Sequence, residues 1–120
     1  MASLATPEQL PLYDELWNME GRQAIPGGSA LNSARSNNWI LNKLGHQNCV
    51  TYFGSIGTDE KGSVLEKDLT DNGINGNFHK DTETPTGTCA VVVVDKERSL
   101  VANLAAACKY DIAHLRNNFD

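Results

Sequence analysis

Residues 26–32, Pro-Gly-Gly-Ser-Ala-Leu-Asn, contain the residue types best suited to holding a polar ligand. The adjacent Gly27 and Gly28 predict a tight turn, and a helix is predicted directly after Ser29. Such a turn exposes backbone N–H groups at the positive end of the helix dipole. Asn32, one turn into the helix, has a donor and an acceptor with which it could clamp a diol such as a ribose. The same residues also fit an ordinary loop-to-helix turn with a capping serine, and they match neither the Walker A nor the Rossmann pattern.

A second glycine cluster occupies residues 54–62, Gly-Ser-Ile-Gly-Thr-Asp-Glu-Lys-Gly. One interpretation is a phosphate-binding loop that follows a strand. The residues favour a simpler interpretation, a strand-to-helix turn in which Asp59 caps a helix beginning at Glu60.

Residues 86–104 predict a β-hairpin, with strands over 86–94 and 99–104 and a charged four-residue turn between them. Four residues alternate along these strands and are predicted to share one face: Cys89, Leu100, Ala102 and Leu104. That face could be an ordinary sheet interior or a lid over a planar ligand, and residues 91–94 are predicted to be core. Arg98 lies beside the turn, where it could be a solvated surface residue or could swing onto a phosphate.

The histidines and cysteines show no catalytic or metal-ligand spacing, so no metal site is predicted. All three histidines are predicted to lie at the surface: His46, His79 and His114. The three cysteines are predicted to be small apolar fillers of a protein in a reducing compartment: Cys49, Cys89 and Cys108.

Regular elements are predicted around these motifs. Helices are expected over residues 11–19, 30–43 and 60–71, and a last one is expected after Asp111, which can cap it. Strands are expected over 48–53 and 78–80, in addition to the hairpin. The order helix, strand, helix, strand, hairpin, helix predicts part of an α/β layer with a hairpin projecting from it.

Composition excludes several classes of function. The chain has 120 residues, a length typical of one domain. It contains 10 basic and 15 acidic side chains, which give a net charge of −5. The acidic balance and the lack of a basic run argue against a nucleic-acid or anionic-membrane partner. No apolar stretch reaches the roughly 18 to 20 residues that span a bilayer.

Taken together, the segments resemble the adenosine kinase branch of the ribokinase-like family of sugar and nucleoside kinases. The matching segments are residues 27–33, Trp39, 52–59, 85–90 and 98–107. The resemblance implies a ribokinase-like three-layer α/β/α fold, with residues 1–120 as one partial domain and a projecting hairpin lid over about 86–104. The sequence departs from the family at residues 36–38, which are more polar than usual.

The resemblance also implies roles for individual residues. Gly27 and Gly28 would form a hinge, and the ribose hydroxyls would be held by Gly28, Ser29 and Asn32. The lid would line the adenosine side through Cys89, Leu100, Ala102 and Leu104. Arg98 would reach the transferred phosphate when the lid closes.

The activity implied for the complete protein is the transfer of phosphate from ATP to adenosine in purine salvage, with Mg²⁺, giving ADP and AMP. The catalytic aspartate and the ATP site are expected outside these 120 residues, so the chain alone is expected to be inactive. We expect a monomer located in the cytoplasm and also in the nucleus. The alternatives are a non-catalytic nucleoside-binding remnant and a related sugar kinase, and the apolar hairpin face weighs against the sugar kinase.

Overall fold

The computed structural model describes residues 2–119, so Met1 and Asp120 of the predicted domain lie outside it. The strands are β1 (Ala2–Leu4), β2 (Thr51–Gly57), β3 (Asn75–Asp81), β4 (Thr88–Val94) and β5 (Glu97–Asn103). The helices are α1 (Leu10–Asn18), α2 (Ser29–Lys43), α3 (Glu60–Asp71) and α4 (Ile112–Asn117), with 3-10 turns at Pro7–Gln9 and Ala105–Lys109. The arrangement is mixed α/β, and the four predicted helices are present.

Strands β2 and β3 pair in parallel and are connected by α3. The main core lies where α2 and α3 meet this pair, and its fully buried members are Leu31, Leu69 and Ile74. Burying a side chain of this size stabilises the fold by about 1.5–3 kcal/mol. The rings of Tyr52 and Phe78 pack beside the core with their centres 5.7 Å apart.

The second sheet has the strand order β1-β5-β4, with β1 parallel and β4 antiparallel to β5. The turn between β4 and β5 contains two residues, Asp95 and Lys96, and both have positive φ values, 49° and 68°. Such a pair matches the twist of a two-residue hairpin. The predicted four-residue turn is wrong, because Glu97 and Arg98 pair with Val94 and Val93 instead.

Pairing between strands shifts the strand boundaries from their predicted positions. Strand β2 begins at Thr51 and continues through Gly57, beyond the predicted end at residue 53, because its ladder with β3 pairs Gly54 and Ser55 as well. Strand β3 is correspondingly longer than the predicted 78–80. Strand β4 starts two residues later than predicted, at Thr88.

Several burial predictions are wrong. The valines of β4, predicted to be core, are exposed, with Val93 at 65%. All three cysteines are exposed as well, because β4 and the loops that carry them lie at the surface. In contrast, Asn38 is buried at 4%, and its amide nitrogen donates to the Asn72 carbonyl at 2.7 Å, which offsets part of the cost of burying a polar side chain in α2. Within the part of the chain that is described, no helix is long and apolar enough to cross a membrane.

Candidate functional site

The glycine turn, residues 26–28, leads directly into α2. Gly28 occupies the cap position with φ at 101°, a conformation that a residue with a Cβ adopts only with strain. The Asn32 N–H donates to the Gly28 carbonyl at 2.9 Å. Among the described residues no side chain caps this helix end, so the N–H groups of its first turn remain available to a ligand. The capping-serine alternative is wrong, because Ser29 lies inside the helix.

Arg35 connects this turn to the rest of the fold, and sequence reasoning missed it. Its guanidinium donates to the Pro26 carbonyl at 2.8 Å and to Asn32 Oδ1 at 3.1 Å, both through Nη1. Its other nitrogen, Nη2, forms an ion pair with Asp68 of α3. Because Asn32 Oδ1 accepts from Arg35, the Asn32 amide nitrogen is oriented to donate elsewhere.

The register of the second sheet assembles the predicted hairpin residues. Cys89 pairs with Ala102 and Val91 pairs with Leu100, and paired residues share a face. Strand β1 extends the same face, because Leu4 pairs with Ala102. The hairpin face therefore comprises Leu4, Cys89, Val91, Leu100 and Ala102. Its Leu4 is 66% exposed, so the face contains apolar surface that the described residues do not cover.

Arg98 belongs to this arrangement. It lies two residues before Leu100 in β5 and pairs with Val93, so it occupies the same face, next to the two-residue turn. Leu104 continues the alternation one residue beyond the end of β5, and it is 46% exposed. The structure thus places Cys89, Arg98, Leu100 and Ala102 on one face of the hairpin, with Arg98 near the tip, and Leu104 directly after the end of β5.

Asp59 caps α3 as predicted, since its Oδ1 accepts from the Gly62 N–H at 2.9 Å. The same carboxylate also accepts from the backbone N–H and the hydroxyl of Thr86, at 2.8 and 2.6 Å. Partial burial raises the pKa of Asp59, but the hydrogen bonds from Thr86 and Gly62 and the nearby Lys61 outweigh it, so the pKa is lowered overall. The charged form of Asp59 is therefore stabilised in the folded protein.

Two histidines depart from the prediction that all lie at the surface. His114 is half-buried, with Nε2 2.9 Å from Asn77 Oδ1 and its ring 5.9 Å from the ring of His79, also half-buried. Helix α4 brings His114 onto β3, which explains its burial. His46 is exposed, as predicted.

The resemblance to the family implies ATP and Mg²⁺ for the complete protein. Among residues 2–119, no group of three or more His, Cys, Asp or Glu side chains could hold a metal ion. None of the roles proposed below depends on a metal ion held by these residues.

Comparison with known proteins identifies the family. The model of the pfkB family of carbohydrate kinases matches residues 3–120, nearly the whole chain. The chain belongs to the pfkB family. Within it, the chain is 43% identical over 115 residues to adenosine kinase 2 of Arabidopsis thaliana, covering 96% of this chain and 32% of that protein. The pfkB-family chain thus spans about a third of the length of the curated relatives it matches.

Solved structures of pfkB-family relatives agree with this assignment. The crystal structure of Anopheles gambiae adenosine kinase in complex with P1,P4-di(adenosine-5) tetraphosphate matches with a TM-score of 0.87 and 41% identity, over 98% of this chain and 34% of that one. Adenosine kinase from Schistosoma mansoni, in complex with adenosine in an occluded loop conformation, matches with a TM-score of 0.86 and 29% identity, over 99% and 34%. The predicted resemblance to adenosine kinases and the predicted ribokinase-like α/β fold are both confirmed.

Proposed function

We propose that this chain is the adenosine-binding and lid portion of an adenosine kinase, which transfers the γ-phosphate of ATP to the 5′-hydroxyl of adenosine. The observation that carries the proposal is the hairpin face, an apolar surface with Arg98 near its outer end. A purine needs a flat apolar surface, whereas a bare sugar needs polar groups around its hydroxyls. The similarity to adenosine kinases along 96% of the chain supports the same substrate.

The glycine turn is proposed to hold the ribose and to act as a hinge, at Gly27 and Gly28. The N–H groups at the start of α2, including those of Gly28 and Ser29, can donate to hydroxyl oxygens. Asn32 adds its amide nitrogen as a directed donor, because Arg35 already engages its oxygen. These residues are exposed, so a ligand can reach them.

The hairpin is proposed to close over the base. Cys89 and Ala102 are small, which leaves room for a planar ring, while Leu100 and Leu104 would cover it. Arg98 would then approach the moving phosphoryl group, whose charge is spread over three oxygens. Closure excludes water and strengthens that electrostatic contact.

The remaining parts of the proposal concern the complete protein. ATP with Mg²⁺ and the aspartate that deprotonates the 5′-hydroxyl are proposed to be held by residues other than those described. The 120-residue chain alone is therefore expected to transfer no phosphate. We also propose a monomeric protein of the cytoplasm and nucleus, without a nucleic-acid or membrane partner.

The test is phosphoryl transfer from labelled ATP by a full-length kinase that carries this segment, with adenosine and ribose as competing acceptors. We expect AMP as the main product, with turnover in the ordinary kinase range of about 1–100 s⁻¹. The 120-residue chain serves as the comparison and should give background AMP only. Preferential phosphorylation of ribose would contradict the proposal and favour a sugar kinase.

A further inference from the structure

The root of the hairpin, residues 84–87, is joined to the α/β layer by a compact set of hydrogen bonds. Thr86 is buried at 5% and lies two residues before β4. Its backbone N–H donates to Asp59 Oδ2 and its hydroxyl donates to Asp59 Oδ1. The same hydroxyl oxygen accepts from the Gly57 N–H at 3.0 Å, at the end of β2. Thr86 therefore touches both the last residue of β2 and the cap of α3.

The atoms around Gly57 and the hairpin root are tightly packed. A Cβ on Gly57 would lie 2.7 Å from the Thr84 carbonyl oxygen and 2.7 Å from the Thr86 nitrogen, which is closer than atoms can approach. The two ends of the hairpin are also tied to each other, because the Ala106 N–H donates to the Pro85 carbonyl at 3.0 Å. The direction in which the hairpin leaves the α/β layer is thus set by contacts at its root.

We propose that Asp59 is a positioning residue for the hairpin: its carboxylate anchors the hairpin root to the amino end of α3 through Thr86. Capping α3 requires only one of its two oxygens, which accepts from Gly62. The second oxygen accepts from the Thr86 N–H, which lies 27 residues further along the chain. An ordinary cap has no need of that second contact. The consequence for adenosine rests on the proposed function, whereas the anchor does not.

Asp59→Asn separates the two tasks of this side chain. Asparagine is as good a helix cap as aspartate, so its oxygen can still accept from Gly62. Its amide nitrogen, however, would face the Thr86 N–H, and two donors cannot bond each other. Thr86→Val is the second variant, since it keeps the side-chain shape and removes the hydroxyl between Gly57 and Asp59. Asp111→Asn is the matched control, because Asp111 caps α4 through the Ala113 N–H away from the hairpin root.

The first measurement is amide hydrogen exchange on the 120-residue chain, read at Thr86 in the root, at Ala106, which donates to Pro85 of the root, and at Gly62 in α3. Residual dipolar couplings give the orientation of the hairpin relative to β2 and β3. In Asp59→Asn we expect root exchange to accelerate about tenfold, equivalent to about 1.4 kcal/mol, with altered hairpin couplings and unchanged protection at Gly62. Thr86→Val should alter the couplings in the same way, and Asp111→Asn should not. Unchanged root exchange and couplings in both root variants would overturn the anchor.

The second measurement is steady-state kinetics in a full-length kinase that carries this segment. A poorly anchored hairpin lowers the fraction of protein competent to bind, and the apparent KM for adenosine rises in proportion to the reciprocal of that fraction. Saturating adenosine restores the competent state, so kcat should change little. A purely structural loss would instead lower kcat by reducing the amount of folded enzyme. Faster exchange at the root combined with an unchanged KM for adenosine would show that the anchor does not affect adenosine binding. If the wild-type kinase does not phosphorylate adenosine, the proposed function is refuted. The hydrogen-exchange measurement still tests the anchor independently.

Discussion

Replacing Arg35 by methionine removes the contacts that fix the glycine turn while keeping a long apolar side chain. Arg35 donates to the Pro26 carbonyl and to Asn32 Oδ1, and each such bond contributes about 0.5–1.5 kcal/mol. Its ion pair with Asp68 is part-exposed, with both side chains at 27%, and adds at most about 1 kcal/mol. We therefore expect Arg35→Met to lower the free energy of unfolding by about 1–4 kcal/mol.

Urea unfolding of the 120-residue chain, followed by circular dichroism, measures this loss. Arg116→Met is the control, since it changes an exposed arginine near the end of α4 and should stay within about 0.5 kcal/mol. Arg35→Lys should recover only part of the stability, because one ammonium group cannot span three acceptors. Asp68→Asn isolates the ion pair. A loss in Arg35→Met no larger than in Arg116→Met would refute the argument that Arg35 holds the turn.

Three further predictions concern the site and its anchor. In a full-length kinase with this segment, Asn32→Ala should lower kcat/KM for adenosine about ten- to hundredfold, by removing a hydrogen bond to the ligand worth about 1–3 kcal/mol. The loss of stability should not exceed about 0.5–1.5 kcal/mol, the contribution of its bond from Arg35, and an unchanged kcat/KM would make Asn32 a structural residue. Arg98→Ala should lower kcat strongly with little effect on adenosine affinity, and Arg98→Lys should fall between, whereas a loss of affinity alone would make Arg98 a substrate-binding residue. Because the pKa of Asp59 is lowered in the folded protein, its carboxylate stabilises the fold at pH values above its ordinary pKa near 4, and this stabilisation is lost as the pH falls through the folded pKa. The free energy of unfolding of Asp59→Asn should therefore depend less steeply on pH in the acid range than that of wild type. Parallel curves for the two proteins would contradict this.

Local sequence signals were sufficient for the helices. Asp59 and Asp111 were recognised as caps, and the side chains of both accept from backbone N–H groups of the following turn. The strands were harder, because β2 owes its second half to pairing with β3 rather than to strand-forming residues. Strand β1 has three residues, too few to show any periodicity, so it was missed.

The shared face of the hairpin could be predicted where its residues are close in sequence. Alternation placed Cys89, Leu100 and Ala102 on one face, but the run of valines in β4 shows no alternation and hid the contribution of Val91. Arg35 looks like an ordinary solvated helix residue, because two of its three acceptors lie 9 residues before it and 33 residues after it. The contact between Asp59 and Thr86 has the same character, as only the fold brings the two together.

Chemical-shift mapping can test directly whether adenosine binds between the glycine turn and the hairpin face, as proposed. ¹⁵N-labelled 120-residue chain is titrated with adenosine to about 10 mM, which detects binding free energies of about 3 kcal/mol or more. We expect saturable shifts at Gly28, Asn32, Leu100 and Ala102 together, and weaker binding in Asn32→Ala. Shifts confined to other residues, or none at all, would contradict it.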